Sequence, residues 1–85
     1  MAVYKIFFKD SVWKDFKLIP DKDLTKILAC IESLGKDPRQ PGCKKLSNQE
    51  RYRLRHGRYR IIYSIQDYEL SIWVVKVGHR KRVYK

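Results

Sequence analysis

Eighty-five residues allow one domain, spanning 1–85, with a single thin core and no room for a second. Lysine and arginine number 20 against 9 aspartate and glutamate, a formal charge of +11, which argues for a polyanionic partner, nucleic acid or acidic protein. No stretch approaches the roughly 20 apolar residues of a membrane span and the N-terminal residues lack a signal-peptide core, so a cytoplasmic protein is expected.

In chain order, Val3 to Phe8 reads as a strand, rich in β-branched and aromatic residues. Asp10-Ser11 is the expected N-cap of a helix carrying Val12, Trp13, Phe16 and Ile19 at helical spacing, ended by Pro20. Asp21 to Asp23 opens a second helix, where carboxylates favour the positive end of the dipole. Its stripe of Leu24, Ile27, Leu28, Ile31 and Leu34 predicts one buried face, with Gly35 at C′. Residues 37–43 hold two prolines and a glycine and form a loop. Lys44-Lys45-Leu46 follows as a short extended piece.

The next segment dominates the chain. Tyr52-Arg53-Leu54-Arg55 and Arg58-Tyr59-Arg60-Ile61-Ile62-Tyr63 alternate apolar and cationic residues on either side of Gly57. Period 2 is the pattern of strands with one face buried, and the glycine marks a tight hairpin. Arg53 and Arg55 are therefore expected on one face of one strand, Arg58 and Arg60 on one face of the next. His56, at the expected turn, reads as a bystander. Such crowding repels itself unless an anion lies on it. Gln66 to Glu69 resembles a second turn, and Leu70 to Val77 a largely apolar, central strand broken by Gly78. A basic tail, residues 79–85, closes the chain. Trp13, Phe16 and Trp73 are expected in the core; Trp73 stacks on a base only if it faces outward. Cys30 and Cys43 have neither CxxC spacing nor a histidine cluster, so free thiols and no metal or cofactor are expected.

The order is β-α-α-β-β-β, an α+β fold with a helical hairpin packed on one face of an antiparallel-dominated sheet. With this order, the blocks Lys45-Leu46, Tyr52 to Tyr63 and Val77-Gly78-His79-Arg80-Lys81-x-Val83-Tyr84 resemble the RelE/ParE superfamily of toxin–antitoxin systems. RelE-like members are messenger-RNA endonucleases acting in the ribosomal A site, whereas ParE-like members inhibit DNA gyrase. Arg60, Arg80 and Tyr84 stand where RelE-like nucleases carry their working groups, so the resemblance favours the nuclease branch. It implies the ribosome, the message and an acidic antitoxin as partners. Two positions depart from the family: Arg58, where many relatives have an acidic residue, and Ser47-Asn48, where a glycine is usual.

RNA can be cut without metal by its own 2′-OH, given a base, cationic donors for the phosphorane and a proton for the 5′-oxygen. Arginine suits the middle role, because its planar fork bonds two oxygens and stays charged. Arg60 is the expected stabiliser, with Arg80 beside it. Tyr84 is the candidate base, if Arg80, Lys81 and Arg82 lower its pKa from about 10, and can equally be a packing aromatic. His79 is the candidate acid, or else a structural residue or a plain RNA contact. Lys44, Lys45, Arg53, Arg55, Arg58, Lys81 and Arg82 are the expected RNA-binding cations. A gyrase-inhibiting toxin and a non-catalytic RNA- or ribosome-binding module are the alternatives.

Overall fold

A computed structural model describes residues 3–46 and 51–79. The elements are β1 (Lys5–Phe8), α1 (Asp10–Lys17), α2 (Asp21–Leu34), β2 (Lys44–Lys45), β3 (Arg51–His56), β4 (Tyr59–Gln66), a 3-10 turn (Asp67–Glu69) and β5 (Ser71–His79). One five-stranded sheet has the order β1-β5-β4-β3-β2. The β1–β5 pair is parallel and the other three are antiparallel, so the sheet is mixed. The element order and the α+β layering are those expected.

The core lies between the helices and one sheet face. Val12 and Phe16 of α1 and Ile27, Ile31 and Leu34 of α2 pack with Leu54, Ile61, Tyr63, Ile72, Val74 and Val77. The spacing of the helical residues sets them on one side of each helix, as the sequence predicts. Two helical members of the expected core differ. Leu28 is exposed, on the outer flank of α2, and Trp13 is 53% exposed, resting its ring against Phe8 and Phe16.

The helix ends also differ from expectation. Asp10 is the first helical residue of α1 rather than part of its cap, and extended Lys9 precedes it without a side-chain cap. Gly35 has φ −62°, a right-handed value, so it is no left-handed C′ residue. Its glycine is required for closeness instead: a Cβ would lie 3.0 Å from the Tyr4 carbonyl oxygen. That approach lets the Tyr4 N–H donate to the Gly35 oxygen at 2.7 Å, tying β1 to the end of α2.

A bulge in β5 shapes the sheet. Lys76 lies opposite Ile62 and Val74 opposite Tyr63, which leaves Val75 as the extra residue. Buried positions therefore run Ile72, Val74, Val77, with the alternation reset once. The Val77 N–H donates to Asp15 Oδ2 of α1 at 3.1 Å. Gly78 does not end the strand, because it pairs with Arg60 and β5 continues to His79.

Residues 37–43 are fastened from both sides. The Tyr63 hydroxyl donates to the Pro38 oxygen at 2.7 Å from within the core. Arg39 forks onto both Asp67 carboxylate oxygens and lies over the Tyr52 ring, while Tyr4 donates to the same carboxylate at 2.8 Å. Arg39 and Tyr4 hold the Asp67 carboxyl below its usual pKa.

Candidate nucleic-acid interface

Parity sends every second strand residue away from the helices. In β3 these are Arg51, Arg53 and Arg55, and in β4 they are Arg60, Ile62 and Ser64. Cross-strand pairing extends each row. Gly78, Arg60 and Arg55 form one, Lys76, Ile62, Arg53 and Lys44 the next, and Phe7, Trp73, Ser64 and Arg51 a third. None of these positions holds an acidic residue. Arg55 directly opposite Arg60 is an unfavourable like-charge pair unless an anion lies across it.

Arg60 differs from its neighbours in burial. It is 7% exposed, the one charged side chain in the buried class among the described residues. Arg55 is exposed, so the row presents one guanidinium held by the sheet and one free to follow a ligand. A guanidinium keeps its charge at any working pH, and a rigid strand limits the entropy lost on binding.

The remaining expected site residues fall in several places. Lys44 shares the Arg53 row, while Lys45 pairs with Tyr52 and belongs to the other parity, on the short edge strand. Arg58 is not a strand residue. It forms the two-residue turn with Gly57, whose φ of +59° makes it the one left-handed residue there, as a type II′ turn requires. His56 precedes the turn as the last residue of β3, opposite Tyr59. His79 also pairs with Tyr59, and its ring meets the Tyr59 ring edge-on at 6.1 Å. Tyr59 faces the helices, so the sheet separates His79 from Arg60 rather than bringing them together. Arg80, Lys81, Arg82 and Tyr84 lie outside the described residues.

Sequence reasoning missed a concave feature at the hairpin tip. Asp23, Lys26, His56, Gly57, Arg58 and Tyr59 line an open cavity of about 320 Å³. The Tyr59 hydroxyl donates to Asp23 Oδ2 at 2.8 Å, which raises the phenol's pKa and pins the tip to α2. The alternation that placed Arg58 beside Arg60 obscured this, because a two-residue turn ends the period-2 rule.

Trp73 is the other residue whose side was misread. It is 40% exposed on the arginine-bearing face, stacked on Phe7 with centroids 5.0 Å apart. Its valine neighbours suggested a strand buried on both faces, but only the Ile72, Val74 and Val77 side meets the helices.

The family described as ParE toxin of type II toxin-antitoxin system, parDE, matches residues 6–84. The chain belongs to this family. Solved RelE structures share the toxin's fold. The RelE–RelB complex of the archaeon Pyrococcus horikoshii is 26% identical, with a TM-score of 0.81 over 96% of this chain and 100% of that one. The RelBE2 toxin–antitoxin complex of Mycobacterium tuberculosis is 23% identical, with a TM-score of 0.84 over 93% and 100%. The isolated RelE toxin of E. coli is 18% identical, with a TM-score of 0.80 over 95% and 88%. Among curated proteins none matches this sequence. The RelE/ParE resemblance is thus borne out, and the chain is a toxin of a type II toxin–antitoxin system. No helix among the described residues is long and apolar enough to cross a membrane.

Proposed function

We propose that this toxin is a RelE-like messenger-RNA endonuclease that acts on messages held by the ribosome and arrests translation. One observation carries the reading: Arg60 is buried in the helix-free face of the sheet, in a row with Arg55 and beside rows of further cations. A phosphate laid on that row meets a preorganised guanidinium whose bonds strengthen as the pentavalent phosphorane gathers charge. The 2′-OH of the message attacks the neighbouring phosphorus, the bond to the 5′-oxygen breaks, that oxygen leaves as a hydroxyl with a proton taken from water, and the other product is a 2′,3′-cyclic phosphate. Arg80 joins Arg60 at the phosphate in this reading and Tyr84 takes the 2′-OH proton. Gly78, opposite Arg60, brings the chain to the phosphate two residues before Arg80. His79 is given no proton transfer, since its ring meets Tyr59 on the far side of the sheet. Arg53, Arg55 and Lys44 hold the backbone of the message, which the ribosome bends into line. An acidic antitoxin restrains the toxin by covering the same cations, in a cytoplasmic complex.

Expression in a sensitive bacterium with mapping of message 5′ ends tests this. Wild type is expected to stop growth and create new ends inside translated regions. Arg60→Ala is expected to lower cleavage roughly 10²–10³-fold, the usual effect of losing one preorganised donor. Growth arrest with intact messages contradicts the reading.

The match to the ParE toxin family favours one second reading, inhibition of DNA gyrase without cleavage. A supercoiling assay separates the two: inhibition of purified gyrase that survives Arg60→Ala supports the second.

A further inference from the structure

The exposed aromatic pair and the residues beside it form a second feature of the helix-free face. Neighbouring strands lie about 4.8 Å apart, and the Phe7 and Trp73 ring centroids are 5.0 Å apart at an interplanar angle of 21°. The two rings therefore stand up from β1 and β5 face to face. Phe7 covers one face of the Trp73 indole. The opposite face looks across β4, where its cross-strand partner is Ser64, and Ser64 in turn pairs with Arg51 of β3.

A small residue between two large ones leaves a slot. Its walls are Trp73, backed by Phe7, and Arg51; its floor is Ser64. The wall-bearing strands are two spacings apart, about 9.6 Å. A flat base between an indole and a guanidinium needs about 7 Å, two stacking distances, and Arg51 is exposed and long enough to lean in. The adjacent rows hold Lys5 on one side and Lys76 and Arg53 on the other, cations for the phosphates on either side of that base. Aromatic faces set among cations accept any base, because every base has a π-face.

We propose that Trp73 and Arg51 sandwich one nucleobase of the bound RNA over Ser64. This rests on the RNA reading above and extends it. Ser64 is four residues from Arg60 along β4, about 13 Å, so the seated base belongs to a nucleotide flanking the cleaved phosphate. The slot fixes the register of the message on the toxin.

The test uses the Trp13→Phe protein, in which Trp73 is the remaining tryptophan. A short dye-labelled 2′-O-methyl oligoribonucleotide, which cannot be cut, is titrated while dye anisotropy and Trp73 emission are followed. Binding is expected to quench Trp73. An abasic nucleotide scanned through the oligomer is expected to weaken binding at least about 5-fold at one position, the low end of base–aromatic stacking, and to abolish the quench there. Ser64→Leu, which fills the slot, is expected to weaken the intact oligomer equally and leave that abasic oligomer unaffected. RNA that binds by anisotropy with Trp73 unquenched and no sensitive abasic position overturns the slot and leaves the RNA reading standing. Absence of any RNA binding overturns the slot, and the message-mapping experiment above then decides the nuclease reading separately. Quenching by an acidic antitoxin peptide but not by RNA makes this surface a protein-docking site and also overturns the proposal.

Discussion

The two faces of the sheet are built from the same strands and share almost no chemistry. Toward the helices, β4 and β5 present Ile61, Tyr63, Ile72, Val74 and Val77, all essentially buried. Away from them, the same strands present Arg60, Ile62, Ser64, Trp73 and Lys76. Strand parity makes this partition possible, since adjacent residues answer to different selective demands without disturbing each other. The apolar core lies on one side, and the other carries the cations that the proposed RNA contact would use. Arg60 is where the two meet: it is buried like a core residue yet carries the charge typical of the helix-free face.

The partition breaks most visibly if substitutions on the two faces cost the same. Ile31→Ala removes a buried α2 side chain and is expected to cost about 2–5 kcal/mol in urea unfolding. Arg55→Gln, exposed on the helix-free face, is expected to stay within about 0.5 kcal/mol. Equal losses contradict the division.

A smaller effect sharpens the comparison at the sheet margin, where Arg39 and Tyr4 grip Asp67. The Asp67 carboxyl is held below its usual pKa, so it favours the folded state once both states are ionised. That contribution is present above the unfolded carboxyl pKa of about 3.9 and is lost as pH falls through the lower folded value. Asp67→Asn is therefore expected to lower the melting midpoint at pH 7 and to converge with wild type in stronger acid. A gap that persists unchanged at low pH contradicts the role given to this pair.

Much of this was legible in the chain itself. The β3–β4 hairpin could be read because alternation is regular in both strands and Gly57 punctuates them. The helices could be read because Val12 and Phe16, and Ile27, Ile31 and Leu34, recur at helical spacing. The misreadings have local causes. The bulge at Val75 shifts the phase of β5, so the run Trp73-Val74-Val75 looks uniformly buried when Trp73 is not. Trp13 and Leu28 adjoin true core positions and sit on the helix flanks. Gly78 suggested a break, but in an interior strand opposite Arg60 it continues the ladder, and parity carries His79 to the helix side. Register, which decides all these placements, depends on pairings between distant segments that no local pattern encodes.

The most direct test of the division asks which face binds RNA. The affinity of a single-stranded oligoribonucleotide is measured against salt for wild type, Arg53→Gln/Arg55→Gln, and Lys14→Gln/Lys17→Gln in the last turn of α1. Each lost phosphate contact lowers the slope of log affinity against log salt by about 0.7. The arginine pair is expected to lower it by about 1.4 and the α1 lysine pair to leave it unchanged. Equal slopes for the two double variants would contradict the assignment of RNA binding to the helix-free face.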